Sequence, residues 1–478
     1  MRAAWDDLLA SLARARAAID DPGLHAPPPS ERVLAEGYRY LLGWVHGAFE
    51  RAFHVDPARP HFRRAIQPIS RSTIDNADAL YLNAEIDGER TYRIRGRAAA
   101  ASHWRAADTV GGAPVGRGGV ASGASDRRAP HYVIFEAATD YAGDSGTIAE
   151  LRPGRRVGTG KLDSSELRIE ADGSFEILLA PERPAGHSGN FIATRRRRTT
   201  KTPDGAAETV VHIARHVTLR ELFHDWEREE ALEIVIEPLG SAVGPASAST
   251  DPGDAAAIAP PPPLDAGRAA AELRRMGVIV ENQMKFWNEF YTVVLETHAD
   301  MNGDGKRFMP RNDFNAPNAA TLATGGGQST NVYAGGVYEL GADEALVVDV
   351  RVPVPPLYQG LHLANLWGES LDYADHQSSL NAFQTAWNAE GWATYVIAHR
   401  DPGIANWLDT TGVPVGFMTF RWTYGAPPAD TPTVTVAKVA VEALGARLGS
   451  RAARVTPAER RRVIAMRRRH VQRRYRQY

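Results

Sequence analysis

Apolar residues recur at helical spacing at the start of the chain. Trp5, Leu8, Leu9, Leu12 and Ile19 form one stripe, which predicts an amphipathic helix over residues 3–20, ended by Asp21-Pro22-Gly23. After Pro27-Pro28-Pro29, Ser30 is an N-cap for a second helix whose apolar face runs through Leu34, Tyr38, Leu41, Leu42, Val45 and Phe49. Both helices are expected to pack on the sheet that follows. From about Ile66 the period shortens to that of a strand. Leu80, Leu82, Ala84 and Ile86 alternate with Tyr81, Asn83 and Glu85, and Asp87-Gly88 turns the chain into residues 91–95. Two further Asp-Gly turns, at Asp172-Gly173 and Asp204-Gly205, separate alternating segments 167–170 from 175–178 and 191–201 from 209–217. Three such hairpins predict an antiparallel sandwich or jelly roll in place of a parallel sheet. A short helical piece is expected at Phe223-His224-Asp225-Trp226, followed by a strand over 232–237.

Residues 240–263 end in four prolines and have the composition of a linker. Beyond them Asp265 caps a long helix with Leu273, Met276, Val280, Met284, Trp287, Tyr291 and Val294 on one face, long enough to bridge two halves of a molecule. Five strands are expected at 332–339, 345–352, 362–367, 392–398 and 416–422, then helices at 436–448 and 457–475. The resulting division is a helical segment 1–60, a β-rich α+β domain 61–239, a linker 240–264, a long helix 265–300, a jelly-roll-like domain 301–430 and C-terminal helices 431–478. The fold class is mainly β with flanking helices.

Composition changes this picture in three ways. With no cysteine in 478 residues there are no disulfides, thiol nucleophiles or thiolate metal sites. Acidic residues interrupt the N-terminal apolar stretch where a signal peptide would be apolar, and no run approaches the roughly 20 apolar residues of a membrane span, so a cytoplasmic protein is expected. The net charge of −2 hides an asymmetry: residues 451–478 hold eleven arginines against one glutamate, so the other 450 residues sum to −12. The basic tail is expected to dock on its own body, on another subunit or on an anionic surface. No nucleic-acid motif, Rossmann fingerprint or phosphate loop occurs, and no cofactor is expected.

Several stretches resemble known families. DNADALYLNAEIDGERTYRIRGR (75–97) is similar to the start of a group of uncharacterised bacterial proteins. YAGGVYELGADEALVV (333–348), LWGESLDY (366–373), SLNAFQTAWNAEGWATYVIAHRDPGIANWLDTTG (379–412) and FRW (420–422) resemble the domain of unknown function family 1214, often met beside family 1254. The resemblance implies a jelly-roll-like second half with flanking helices, and no established activity.

Candidate chemistry concentrates in the second half. Trp367, Trp387, Trp392, Trp407 and Trp422, with Tyr373 and Tyr395, offer aromatic faces for stacking on a ring. Trp392 and Trp422 lie in apolar strand patterns and read as core. Trp367, Tyr373 and Trp407 are the expected ligand contacts, with Asn381 and Arg421; Arg421 suits a pair with Asp409 or a bidentate clamp on a carboxylate or sulfate. Glu369 and Asp372 are the candidate catalytic carboxylates, since an acid beside an aromatic group is a candidate for a raised pKa. They suggest a metal-independent hydrolase or lyase. Asp401 and Asp409 sit in turn contexts, where a structural role leads. His362, His376 and His399, and the pair His212 and His216, lack a metal-ligand spacing, and no metal is expected. Asp300-Met301-Asn302-Gly303-Asp304 resembles a calcium loop but has Arg311 at the twelfth position, so it reads as a polar turn. Ser370 lacks the context of a serine nucleophile. Two functions follow: an enzyme or binder acting on a small, ring-containing, largely apolar organic molecule, or a non-catalytic carbohydrate-binding or assembly module recruited by the basic tail.

Overall fold

The computed structural model describes residues 1–21, 23–24, 30–104, 127–152, 154–201, 207–239, 260–296, 305–318 and 331–476. The chain is mainly β with flanking helices, its strands forming five sheets. Two facing sheets make each sandwich. In the first half, β1 (Arg63–Ile66), β2 (Ala79–Glu85), β3 (Thr91–Arg97), β4 (Tyr132–Ala138), β5 (Gly158–Asp163), β6 (Ser174–Ala180), β7 (Asn190–Ala193), β8 (Arg195–Lys201), β9 (Ala207–Ile213), β10 (His216–Leu222) and β11 (Glu233–Leu239) follow in order. One sheet has the order β1-β2-β10-β4-β5 and the other β11-β3-β6-β7, while β8 and β9 form a separate ribbon. Their inward residues, among them Ala84, Ile94, Phe135, Ile177 and Leu219, share one core.

The second half holds β12 (Asn331–Glu339), β13 (Glu344–Arg351), β14 (Tyr358–Ala364), β15 (Ser379–Asn381), β16 (Trp392–Ala398), β17 (Trp407–Asp409), β18 (Val415–Thr423) and β19 (Thr433–Ala440). Sheets β12-β18-β14-β15 and β17-β16-β13-β19 enclose a core of Val348, Leu361, Tyr395, Phe420 and Trp422 with their neighbours.

Three helices, α1 (Arg2–Asp20), α2 (Glu31–Phe53) and α3 (Ala266–Glu296), pack on one another, so α1 and α2 bury their core residues chiefly against α3 and each other and not against the sheet that follows them. Ser30 caps α2 by accepting from Val33 N at 3.2 Å, and Asp265 caps α3 by accepting from Arg268 N at 2.8 Å. The expected apolar face of α3 is buried throughout, but those of α1 and α2 are rotated. Trp5, Leu42 and Phe49 are exposed, and Ala4, Ala15, Ala48 and Ala52 are buried. Close helix approach selects small side chains. At Gly37 a Cβ would stand 2.6 Å from the Trp367 ring and 2.9 Å from Ile19. The C-terminal half of α3, with Phe286, Trp287, Tyr291 and Val294, packs on the outer face of the second sandwich at Val337, Ala364 and Phe417.

Only one of the three expected hairpins pairs as a hairpin. Asp87-Gly88 carries the chain from β2 in one sheet to β3 in the facing one, and Asp172-Gly173 turns into β6, whose partners are β3 and β7. β8 and β9 do pair, around a turn outside the described residues, but the long strands expected there split into β7 with β8 and β9 with β10. Residues 223–226 form a turn, not a helix. In the span expected to be helical from 436, β19 pairs with β13 and only Leu444–Leu448 is an α-helix. Most of the linker and the 300–304 turn lie outside the described residues.

The segment 75–78 joins the two sandwiches. Asp75 accepts from Ser370 N at 2.9 Å and Ser370 Oγ at 2.8 Å. The Tyr358 hydroxyl donates to Asp78 Oδ2 at 2.7 Å, and Asp78 Oδ1 accepts from Asn381 Nδ2 and Trp226 Nε1, both at 2.9 Å. Burial raises the Asp78 pKa, while these donors act to lower it. Over this junction lies the C-terminal helix Pro457–Tyr475, started by a Thr456/Glu459 capping box. Arg467 is buried, donates to Tyr373 O and Ser379, and sits 4.4 Å from the Trp226 ring centroid. Arg460 bonds Asp401 and Gln377, and Arg474 bonds Ala77 O.

Candidate functional site

A cavity of about 350 Å³ lies where the outer faces of the two sandwiches meet α2 and α3. Its two kinds of wall differ in chemistry. The sheet wall follows from strand alternation. β2 turns Ala84 into the core and presents Tyr81 and Asn83 on the other face; across the ladder, Thr218 stands opposite Asn83 and Arg220 opposite Tyr81, with Arg63 of β1 paired to Asn83 on the far side. In the second sandwich, β18 turns Met418, Phe420 and Trp422 inward and Thr419, Arg421 and Thr423 toward the cavity. Arg421 lies opposite Tyr333 of β12 and Gly360 of β14. The helix wall is apolar: Trp44, Gly47 and Ala48 from α2, and Ile279, Phe286, Trp287, Phe290 and Val294 from α3, with Phe308 and Met309 beside them.

Five arginines line this space, Arg51, Arg63, Arg156, Arg220 and Arg421, and no carboxylate does so among the described residues. Behind three of them stand acids: Asp144 on Arg51 at 2.9 Å, Glu85 on Arg63 at 3.2 Å and Glu136 on Arg220 at 3.1 Å. Arg156 Nε donates to Asp140 O at 3.3 Å and Arg421 donates to Ile74 O; among the described residues neither is in an ion pair. Arg51 Nε, Arg63 Nε, Arg156 Nη1, Arg421 Nη1 and His216 Nδ1 are buried without a hydrogen-bond partner among the described residues. Native interiors rarely leave such groups unpaired.

His216 is stacked on Tyr141 with ring centroids 3.9 Å apart, and the Arg51 guanidinium lies 4.5 Å from the same Tyr141 ring. The Tyr141 hydroxyl donates to Glu85 at 3.1 Å. Burial, with the charges of Arg156, Arg51, Arg63 and Arg220, pushes the His216 pKa down to about 3, so its imidazole is neutral near pH 7. Gln283 of α3 ties the helix wall in place, donating to Ala142 O and accepting from Trp287 Nε1, each at 3.0 Å.

Of the residues singled out from sequence, Arg421 alone lines the cavity. Trp367 is 1 % exposed, wedged among the three helices with Nε1 donating to Val33 O at 2.9 Å. Trp407 is 6 % exposed and packs under Arg460, 5.1 Å from its guanidinium. Tyr373 is buried against Trp226 and Tyr475, and Asn381 belongs to the Asp78 junction. Glu369 is buried, paired with Arg39 at 2.6 Å and bonded to Asn365 Nδ2 at 2.8 Å. Asp372 accepts from the Ala374 and Asp375 amides, as a turn residue does. The two carboxylates thus hold local structure and do not share a space with the aromatic residues. Asp409 pairs with His376 at 2.7 Å, not with Arg421. His212 and His216 fall on separate strands, and the described residues contain no cluster of three or more His, Asp or Glu suited to a metal. Arg63, Asn83 and Arg220, which the sequence does not single out as site residues, and His216, which it offers only as a metal candidate, do carry a signal. They are the polar positions of alternating strands, and they read as a solvent face.

Comparison with known proteins found no matching family model and no matching curated protein. Among solved structures, the chain is similar to an uncharacterised protein from Burkholderia cenocepacia, with a TM-score of 0.67 at 26 % identity over 92 % of this chain and 98 % of that one. A second match, the VPA0106 protein from Vibrio parahaemolyticus, has a TM-score of 0.38 at 12 % identity, covering 89 % of this chain and 100 % of that one.

Proposed function

We propose that the protein binds a small, ring-containing, largely apolar organic molecule in the cavity between its two sandwiches. The observation that carries this reading is the aromatic helix wall of Trp44, Phe286, Trp287 and Phe290 facing a polar sheet wall across about 350 Å³. That size and mixture are those of small-molecule sites, in which apolar walls supply contact area and a few polar groups set orientation. Binding is favoured over carboxylate hydrolysis because no acid among the described residues lines the space. It is favoured over a carbohydrate-binding strip because Trp367 and Trp407 are buried. The resemblance of residues 75–97 to a group of uncharacterised bacterial proteins, and of stretches within 333–422 to the 1214 family, belongs to the same proposal.

Gly47 provides the test. It lines the cavity from within α2, and a Cβ there would meet nothing within 4 Å. Gly47→Leu fills the space without a clash and removes a helix-interior glycine, which stabilises a helix by about 1 kcal/mol. Calorimetric titration with the neutral probe 2-naphthamide is expected to show binding to the native chain and at least a tenfold loss in Gly47→Leu, with a melting temperature unchanged or raised. Undiminished binding in that variant would place the ligand elsewhere.

A further inference from the structure

We propose that the ligand of this cavity is an anion, an aromatic or otherwise apolar body bearing one oxyanion group, carboxylate or phosphate, which docks on Arg156 and Arg421. The inference rests on the cavity being the binding site and adds the chemical class of what enters it.

The argument is one of charge and hydrogen-bonding capacity. Five guanidinium groups around one small space repel one another unless anions lie between them, and the interior screens that repulsion less than water does. Asp144, Glu85 and Glu136 answer Arg51, Arg63 and Arg220 from behind the wall. Arg156 and Arg421 have no such partner among the described residues, and each holds a buried Nη1 with no acceptor. Arg51 Nε and Arg63 Nε are in the same condition, and the Arg63 side chain is more than nine-tenths buried; His216 Nδ1 is also buried without a partner, as donor or acceptor according to the tautomer of its neutral ring. Arg156 comes from the first half of the chain and Arg421 from the second sandwich, so two guanidinium groups outside any ion pair line the cavity; Glu150, Asp144 and Asp140 act on Arg156, and Asp75 on Arg421, only from beyond ion-pair distance.

A neutral ligand leaves those donors unanswered, whereas an oxyanion accepts several at once. The planar guanidinium fork matches the two oxygens of a carboxylate or phosphate, and such charge-assisted bonds are roughly twice as strong as neutral ones. Among the described residues no acid on the lining opposes an incoming anion. The apolar wall of α3 then takes the body of the molecule. A fully hydrophilic anion such as a sugar phosphate would leave that wall unsatisfied.

The test uses matched probes on the full chain: 2-naphthoate and 2-naphthyl phosphate against neutral 2-naphthamide, titrated calorimetrically at fixed ionic strength. At least one anion is expected to bind tenfold or more tightly than the amide, and which one does so assigns the head group. Arg156→Met and Arg421→Met are each expected to erase that advantage while leaving amide affinity within threefold. Arg421→Lys, which keeps the charge but loses the fork, falls between. Thermal melts without probe verify that each variant is folded; Arg156→Met, whose residue lies away from the 75–78 junction, keeps the test open should Arg421→Met not fold. Equal affinity for anions and amide would overturn the anion inference and leave the cavity reading standing. Binding of none of the three probes would overturn both.

Discussion

Burial reverses the role that exposure would give several single residues. His216 is an instance with a measurable consequence. Its folded pKa, about 3, lies below the roughly 6.5 of an exposed histidine. Below pH 6.5 the unfolded chain therefore takes up a proton that the folded chain refuses, and stability falls as pH drops from there toward 3. Each such histidine contributes about 1.4 kcal/mol per pH unit in that window. His131, pushed by burial to about 4, acts in the same direction. His216→Asn is expected to make the decline between pH 6 and pH 4 shallower by about that slope in urea titrations; an unchanged slope would mean that His216 is protonated in the folded protein. At the same scale, Glu369 shows why a carboxylate beside a tryptophan in sequence need not be an acid or base. Its Oε2 accepts from both Arg39 and Asn365, contacts that span 330 residues in the first case and four in the second, and it does not line the cavity.

Among the elements, the C-terminal helix separates charge seen in sequence from charge available at the surface. Arg467 lies against Trp226 and bonds main-chain oxygens, whereas Arg461 and Arg462 face outward. Arg467→Met leaves the Tyr373 and Ser379 acceptors buried without their donor and is expected to cost about 2–3 kcal/mol. Arg462→Ala is expected to change stability by less than about 0.5 kcal/mol. Chemical denaturation of both variants measures the contrast, and equal effects would mean that the helix is not held through Arg467. The helices also show how far periodicity reaches. The stripe on α3 is legible because large residues form it; on α1 and α2 the expected Leu8, Ile19 and Leu41 are buried, but alanine and glycine supply much of the rest of the buried faces and the exposed ones carry Trp5, Leu42 and Phe49. Hydrophobicity ranks those large residues above alanine; the spacing between packed helices does not.

At the scale of the whole molecule, the junction at 75–78 decides whether a cavity exists at all. Asp78 is fully buried and accepts from Tyr358 and Asn381 in the second sandwich and from Trp226 in the first. Asp78→Ala leaves the buried Trp226 indole N–H without its acceptor and takes one acceptor each from Tyr358, which keeps Asn76, and Asn381, which keeps Phe223 O and His224 O; it is expected to destabilise the protein by about 2–3 kcal/mol, and Tyr358→Phe by about 1–2 kcal/mol. Both are also expected to weaken binding of 2-naphthamide, since the β12 and β18 wall would shift relative to the first sandwich and the apolar residues of α2 and α3. If Asp78→Ala lowers the melting temperature but leaves probe affinity intact, the junction holds the fold without shaping the site.

What the sequence by itself determined is local. Alternation located most of the strands, caps located the starts of α2 and α3, and composition made the chain mainly β with no thiol chemistry; these depend on residues a few positions apart. Pairing was not local, so two of the Asp-Gly turns were misread as hairpins, and β19 was taken for helix although its Thr-Val alternation is a strand pattern. The site was decided by tertiary structure for the same reason. Tyr81, Asn83, His216, Arg220 and Arg421 all stand on the polar side of alternating strands, and sequence periodicity tells that side from the core without telling what covers it. Here two sandwiches and a 31-residue helix cover it. A face that would otherwise meet water becomes the wall of a cavity, where Arg156 and Arg421 each keep a buried Nη1 with no hydrogen-bond partner among the described residues.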